Sequence, residues 1–342
     1  MSEKIDIMVC QSKLTLMQSL LTEQHEEVGV AARAVVFEQP EALALRDVEL
    51  PPPGPGEVLV DVEFTGISTG TEKLLWTGRM PPFPGMGYPL VPGYETVGRI
   101  VGCGPGVNAD TGDRVFVSGA RCYGEIRGLF GGASSHLVVE ESKTILVDDS
   151  LNEEAILLAL SATAYHALFD GERQALPELI IGHGVLGRLL ARLTVALGGL
   201  PPTVWEISEH RRKGASTYPV TPPDADEKRD YRRIIDASGD PSILDTSMQR
   251  LAKQGEIVLA GFYSEPLAFS FAPAFMREAR IRVAAEFASR DLEGVNKLLD
   301  DGSFKLDQLI THRLPAAEAA QAYPIAFDDP ECLKMVLDWR GH

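Results

Sequence analysis

A glycine-rich turn in the middle of the chain has the residue types that bind a dinucleotide. In IIGHGVLGRLLARL, Gly182, Gly184 and Gly187 form a Gly-x-Gly-x-x-Gly pattern between a strand-like and a helix-like run. The first glycine permits a tight turn, the second lets backbone approach a pyrophosphate, and the third lets the helix pack closely. The N-terminus of that helix attracts the anion. The alternative is a glycine turn in an ordinary α/β domain.

An acidic residue follows the turn at the position where a ribose would lie. Glu206 ends the next strand-like run, TVWEIS, 19 residues after Gly187. A carboxylate there accepts ribose hydroxyls and repels the 2′-phosphate of NADP, which favours NAD as the cofactor. Arg211 and Arg212 follow, either as receptors for a phosphate or as solvated helix residues. The expected cofactor-binding residues are Gly182, Gly184, Val185, Leu186, Gly187, Glu206, Ser238 and Gly261.

Short β-like runs precede this turn. From ARAVVFEQP to about residue 150 they alternate with Pro and Gly turns. The clearest is EVLVDVEF, in which apolar residues at every second position from Val58 to Phe64 share one face. This period of two predicts a half-buried strand. Many short strands without intervening helices predict a barrel-like all-β unit.

The pattern changes near residue 152 to an alternation of helices and strands. LNEEAILLALSATAYHALFD has helical spacing, and strand-like runs recur in ELIIGHG, TVWEIS, RRIIDASG and EIVLAGFY. This alternation predicts a parallel sheet in an α/β domain. After about residue 290, two helices and a last strand are expected to return to the first domain. The predicted division is an N-terminal extension 1–30, a β domain 31–155, an α/β domain 156–289 and a C-terminal return 290–342.

Composition excludes several classes of partner. Lysine and arginine total 32 against 49 acidic residues, a net charge of -17, so nucleic acid is not an expected partner. Polar residues interrupt the apolar stretches before they reach the roughly 20 residues that a membrane span needs, so no integral membrane segment is expected. The four cysteines form no short Cys-x-x-Cys pair, and neither a disulfide framework nor a structural zinc site is indicated. We expect a cytoplasmic protein.

The chain resembles the medium-chain dehydrogenase/reductase superfamily over residues 31–342. The resemblance implies a GroES-like β-barrel domain plus a Rossmann-fold parallel-sheet domain. Finer similarity, carried by GISTGTEKLLWTGRMPPFPGMGYPLVPGYE, IRGLFGGA, PAFMREARIRVAAE and ECLKMVLDW, is to the bacteriochlorophyllide dehydrogenases of bacteriochlorophyll biosynthesis. The resemblance implies NAD-dependent oxidation of a 3-hydroxyethyl group on a tetrapyrrole to a 3-acetyl group. The resemblance is also compatible with a homodimer.

The sequence departs from the zinc enzymes of this superfamily at their metal ligands. Those enzymes carry a histidine where PLVPGYETVGRI has Tyr94, and a cysteine where GISTGTE has Ser68 or Thr69. A phenol with a pKa of roughly 10 is a poor zinc ligand at neutral pH. The four-cysteine structural lobe is reduced to Cys122. We therefore expect no metal.

Oxidation without zinc still requires groups that orient the alcohol and accept its proton. The resemblance places five residues near the reacting centre, and the expected catalytic candidates are Tyr94, Thr69, Ser68, Glu72 and Glu95. Tyr94 either points into the cleft or fills an apolar space, and Glu95 is as readily structural. His166 and His183 are weaker candidates for contact with the reacting groups.

The stretch LLWTGRMPPFPGMGY has a composition suited to an apolar wall against a flat ring, although a loop packed on its own domain fits equally well. The residues concerned are Trp76, Met80, Phe83, Met86 and Tyr88. Lys73, Arg79 and Arg127 are candidates for meeting the substrate's propionate.

Two other functions remain open from sequence. One is a zinc-free quinone or enoyl reductase of the same superfamily, although such enzymes commonly use NADPH and Glu206 counts against them. The other is a nucleotide-sensing protein that binds the cofactor without turnover.

Overall fold

The computed structural model describes residues 29–82, 84–215 and 217–341. The predicted N-terminal extension, residues 1–30, lies outside the described residues apart from its last two. The described chain folds into a β-rich unit and a six-stranded parallel sheet flanked by helices. The predicted fold class is confirmed.

The β-rich unit is built mainly from the first part of the chain. Its strands are β1 Val30–Gln39, β2 Ala42–Leu50, β3 Glu57–Ile67, β4 Leu90–Val91, β5 Thr96–Cys103, β6 Arg114–Val117, β7 Arg127–Gly128, β8 His136–Glu140 and β9 Thr144–Leu146. A helix, α1 Thr71–Trp76, follows β3. Along β3, the apolar residues at alternate positions from Val58 to Phe64 are at most 3% exposed, which confirms the predicted period.

A kinked helical segment leads into the second unit. Residues Asp149–Leu157 are 3-10 helix, and the α-helix proper, α2, runs from Leu158 to Ala167. Asn152 has φ 42 and ψ -134, so the spacing seen in sequence corresponds to two helical pieces. A short hairpin, β10 Phe169–Asp170 and β11 Arg173–Gln174, follows.

The parallel sheet has the order β14-β13-β12-β15-β16-β17. Its strands are β12 Leu179–Ile181, β13 Thr203–Trp205, β14 Val220–Thr221, β15 Tyr231–Asp236, β16 Leu251–Leu259 and β17 Arg280–Val283. The helices of this part are α3 Val185–Ala196, α4 Ile243–Arg250, α5 Phe271–Arg277 and α6 Ser289–Asp300. Leu189, Leu190 and Leu193 of α3 are completely buried, because the helix packs its apolar stripe on the sheet.

The end of the chain returns to the β-rich unit. After β18 His312–Pro315 and α7 Ala319–Asp328, the last strand β19 Met335–Asp338 pairs antiparallel with β3. Strand β18 was not predicted, and it pairs parallel with β19. The last strand therefore lies in the same sheet as β3, and the predicted domain division stays a prediction. Across residues 29–82, 84–215 and 217–341, no helix combines the length and apolarity needed to cross a bilayer.

Candidate active site

A pair of hydroxyl groups joins two segments that sequence reasoning singled out. Ser68 directly follows β3, and Tyr94 lies in the turn between β4 and β5. The Tyr94 hydroxyl donates to Ser68 Oγ at 2.7 Å, and the Tyr94 ring meets Phe130 edge-on at 5.5 Å. Burial, reinforced by the Glu95 carboxylate, raises the pKa of Tyr94 above its ordinary value. The phenol therefore keeps its proton at neutral pH.

Behind this pair lies a buried carboxyl group on α1. Glu72 is completely buried; its Oε1 accepts the backbone N–H of Ser68 at 3.1 Å, and its Oε2 accepts the Tyr323 hydroxyl at 3.1 Å. Burial raises the pKa of Glu72 to about 8, against the stabilising effect of the Ser68 N–H. Burial disfavours the charged form, so this carboxyl changes protonation close to neutral pH.

The second buried carboxylate is neutralised by a lysine. Lys334 Nζ lies 2.8 and 2.7 Å from the two oxygens of Glu95 and donates to the Ile67 carbonyl at 3.2 Å. Glu95 is 0% and Lys334 1% exposed. A Cβ on Gly66 would overlap a Glu95 oxygen, so glycine is needed there for the carboxylate to reach its partner. Glu95 is thus engaged in an ion pair, whereas Glu72 accepts from two neutral donors, the Ser68 N–H and the Tyr323 hydroxyl.

Sequence reasoning missed Lys334 and Tyr323. The only local signal for Lys334 was a lysine beside the apolar run of CLKMVLDW, and Tyr323 lies in a helical run with no distinguishing pattern. For the alternatives Ser68 and Thr69, the geometry brings Ser68 to Tyr94, while Thr69 lies exposed one residue further on.

The candidate catalytic residues do not fit a zinc ion. In the described part of the chain, no group of three His, Cys, Asp or Glu residues is arranged to hold a metal. The donors at the place of the zinc ligands are two neutral hydroxyls and a carboxylate already paired with Lys334, whereas zinc takes thiolate, imidazole or free carboxylate. Cys122 is buried and accepts the Val138 N–H at 3.4 Å.

The glycine-rich turn has the geometry that a dinucleotide requires. Gly182 has φ +96, which disfavours other residues, and a Cβ on Gly187 would overlap the Gly182 carbonyl. Helix α3 begins at Val185 with Gly184 as its N-cap, and no atom lies within 4 Å of a Cβ built on Gly184. The residues therefore fit a pyrophosphate at the helix N-terminus.

The remaining predicted cofactor residues lie at the carboxyl ends of neighbouring parallel strands, where ligands bind in open α/β sheets. Ser238 follows β15, and its N–H and hydroxyl donate to Asp236 Oδ1 at 3.0 and 2.6 Å. Gly261 follows β16 and donates its N–H to the Asp236 carbonyl at 3.1 Å. Burial raises the pKa of Asp236.

Glu206 is positioned by the backbone around it. It follows β13 and is 8% exposed; its Oε2 accepts the His183 N–H at 3.0 Å and its Oε1 the Ser208 N–H at 2.8 Å. Arg212 donates to the carbonyls of Ile207 and Glu206 at 3.0 and 3.3 Å. The carboxylate is therefore fixed beside the glycine-rich turn.

The proposed aromatic wall packs on its own domain. The Trp76 ring lies 5.4 Å from Phe37 and 6.5 Å from Tyr323, and the Tyr88 hydroxyl donates to the Leu75 carbonyl. Met80 and Met86 also pack against the barrel core, and Phe83 lies outside the described residues.

The basic and histidine candidates are placed as follows. Lys73 Nζ donates to the Phe327 carbonyl at 2.7 Å and to Asp328 at 3.2 Å. Arg79 and Arg127 are exposed. His166 lies 2.9 Å from Asp291.

Similar proteins agree with this architecture. Residues 54–149 match the alcohol dehydrogenase GroES-like domain. The chain is 55% identical over 313 residues to the 2-desacetyl-2-hydroxyethyl bacteriochlorophyllide A dehydrogenase of Cereibacter sphaeroides, a match that covers 90% of this chain and 98% of that protein. The chain belongs to the medium-chain dehydrogenase/reductase family. The dehydrogenase of the same name from Rhodobacter capsulatus is 55% identical over 309 residues, covering 90% and 98% of the two chains.

Solved structures confirm the fold of this family member. The crystal structure of 2R,3R-butanediol dehydrogenase from Bacillus subtilis superposes with a TM-score of 0.76 at 21% identity, covering 90% of this chain and 99% of that one. The chain is an oxidoreductase acting on CH–OH groups, as its close relatives are named dehydrogenases. This sets aside the alternative of a nucleotide-sensing protein.

Proposed function

We propose that this dehydrogenase oxidises the 3-hydroxyethyl group of a bacteriochlorophyllide to 3-acetyl in bacteriochlorophyll a biosynthesis, with NAD and without catalytic zinc. The observation that carries the proposal is the 55% identity over 98% of the length of the Cereibacter sphaeroides relative. The name of that relative describes a pigment that has a hydroxyethyl group in place of an acetyl group.

The proposed reaction removes a hydride from the carbinol carbon and a proton from its hydroxyl. NAD, held at the glycine-rich turn, would supply the hydride acceptor. The Tyr94 oxygen accepts a hydrogen bond from the substrate hydroxyl, because its own proton is directed to Ser68 Oγ. The proposed acceptor of the released proton is Glu72, the buried carboxyl that accepts the Ser68 backbone N–H at 3.1 Å. With a pKa of about 8, Glu72 is a base suited to slightly alkaline conditions. Thr69 and Glu95 are weaker candidates for the base, because Thr69 is exposed and Glu95 is paired with Lys334.

The substrate itself reduces the need for a metal. Zinc lowers the pKa of an alcohol and holds its oxygen. A carbinol carbon attached to a conjugated macrocycle spreads its developing positive charge over the ring, so orientation and proton removal are the main tasks left to the protein. The hydroxyl pair and Glu72 supply both.

The choice of NAD over NADP rests on Glu206. Its carboxylate is held by the backbone N–H groups of His183 and Ser208, beside the turn that fits the pyrophosphate. The negative charge repels a 2′-phosphate. Arg212 donates its hydrogen bonds to backbone carbonyls. This supports the interpretation that Arg212 does not bind a phosphate.

A spectral assay tests the function. The protein is incubated with NAD and the hydroxyethyl bacteriochlorophyllide, with simple secondary alcohols as a parallel series. Conversion to an acetyl group conjugated to the ring is expected to move the long-wavelength pigment band to the red while NADH forms in equal amount. NADH formation with simple alcohols and none with the pigment would refute the assignment.

We propose further that the cytoplasmic enzyme is a homodimer formed through the edge of its parallel sheet. Strand β17 is the last strand of that sheet, and its Ile281 and Val283 are 39% and 70% exposed; Phe271 and Phe275 of the preceding helix α5 are 72% and 69% exposed. A strand edge and exposed apolar side chains favour association.

Sedimentation of the full chain tests the dimer. Val283→Glu is expected to shift it toward a monomer, whereas Leu200→Glu, at a residue 87% exposed elsewhere, should not. A monomeric wild-type chain would contradict the proposal.

A further inference from the structure

His183 lies within the glycine-rich turn, yet its ring is completely buried. Its Nδ1 is 2.6 Å from the Arg211 carbonyl and its Nε2 is 3.0 Å from the Tyr218 hydroxyl. A carbonyl oxygen only accepts, so Nδ1 carries the proton and Nε2 accepts from Tyr218. Burial, with the nearby Arg188 cation, lowers the pKa of His183 to about 4. The ring is therefore neutral at physiological pH, and it links the turn to the loop that follows Glu206.

Arg188, in the first turn of α3, connects the same two segments. Its Nε donates to the His183 carbonyl at 3.2 Å, and its Nη2 donates to the carbonyls of Arg211 and Lys213 at 3.1 and 2.9 Å. The residue is 8% exposed. A buried guanidinium that holds three carbonyls is costly to leave unpaired, so the loop is firmly tied to the turn.

The loop 207–213 directly follows Glu206, the proposed ribose acceptor. The bonds of Glu206 to the backbone of His183 and Ser208 depend on the spacing between loop and turn. The loop also carries Arg211 and Arg212, the two arginines nearest in sequence to the proposed ribose acceptor. A displaced loop would shift the Ser208 N–H that holds the Glu206 carboxylate, together with the arginines that follow Glu206 in the chain.

We propose that His183, Arg188 and Tyr218 form a brace that makes the enzyme discriminate against a 2′-phosphorylated cofactor. The brace acts through position, because it holds Glu206 toward the ribose and keeps the following arginines away from a phosphate. These are positioning residues rather than catalytic ones. The inference rests on the proposed NAD site.

Cofactor binding without pigment tests the brace. Dissociation constants for NAD and NADP are measured by calorimetry on the full chain. His183→Leu removes both ring hydrogen bonds, and we expect the preference for NAD to fall about tenfold, equivalent to about 1.4 kcal/mol. His183→Asn, whose amide N–H lies near the place of Nδ1, is expected to retain most of the preference, and Tyr218→Phe to show a smaller loss than His183→Leu. His166→Asn, which alters a histidine paired with Asp291, is the matched control and should leave the ratio unchanged.

The outcomes separate the brace from the function that it serves. If the variants weaken NAD and NADP by the same factor, the three residues are only structural and the inference is wrong. If the wild-type chain itself shows no preference for NAD, the proposed cofactor choice fails, and the brace fails with it. If pigment oxidation fails but the ratios change as expected, the brace stands without the pigment assignment. Should His183→Leu not fold, Tyr218→Phe decides, because an unchanged ratio there overturns the inference.

Discussion

The Glu72 carboxyl gives a prediction that links stability to pH. Glu72→Gln replaces the acid by a neutral side chain of nearly the same shape. The amide oxygen can still accept the Ser68 N–H, and the amide N–H₂ can donate to the Tyr323 oxygen. The substitution therefore removes the ionisation while keeping the packing of a completely buried position.

The magnitude follows from the burial of this carboxyl. Its pKa rises from an ordinary 4.5 to about 8 in the folded protein, and each pKa unit corresponds to about 1.36 kcal/mol. Because the pKa of Glu72 is higher in the folded state, the protonated carboxyl contributes its full stability below pH 4.5. That contribution is lost as the pH rises toward 8. The Gln variant has no such loss. We expect its advantage in unfolding free energy over the wild type to grow by about 3.5 kcal/mol between pH 5 and pH 8.

Urea unfolding at pH 5, 6.5 and 8, followed by circular dichroism, measures this difference for both proteins. Comparing the two proteins at each pH cancels the titration of every other group. If the difference in unfolding free energy between the two proteins is the same at all three pH values, burial does not raise the pKa of Glu72 and the prediction is wrong. The same carboxyl should act as the base of the reaction, so wild-type kcat should rise with pH through about 8, and Glu72→Gln should lose this rise together with most of its activity.

Two further substitutions test the reacting and cofactor groups. Tyr94→Phe removes one hydroxyl and little volume, so it should keep the fold and NAD binding. It should lower kcat by roughly 10²-fold, the lower end of the effect of a group that transfers a proton. An unchanged kcat would mean that Tyr94 only lines the pocket, and Thr69 and Glu95 would become the next candidates. Glu206→Ala should weaken NAD binding and narrow the preference over NADP by about 1.5–3 kcal/mol, as expected for hydrogen bonds to a charged group. Steady-state kinetics with both cofactors measures this, and an unchanged ratio of kcat/KM values would exclude Glu206 as the ribose reader.

Sequence predicts the parts of this protein that depend on local patterns. The alternation from Val58 to Phe64 predicts β3 because one face of that strand is buried. The turn at Gly182 and Gly187 is predictable because backbone geometry there excludes larger residues. In each case the physical requirement lies within a few consecutive residues.

Contacts between distant segments were not predictable in the same way. Lys334 meets Glu95 across 239 positions of sequence, and Tyr323 meets Glu72 across 251. Nothing local in either segment indicates its partner. The composition of the Trp76 segment fits two placements equally well, an apolar wall against a flat ring and a loop packed on its own domain. Only the structure distinguishes them, because it shows the Trp76 ring packed against Phe37.

In the proposed reaction a pigment hydroxyl is oxidised with NAD, and protein hydroxyls and a carboxyl act in place of zinc. The most direct test measures zinc content and pigment turnover on the same preparation, before and after treatment with a chelator, with pigment magnesium checked separately. We expect no stoichiometric zinc, and a red shift and NADH yield that the chelator leaves unchanged. Turnover that falls with the removal of zinc and returns when zinc is added back would contradict the proposal.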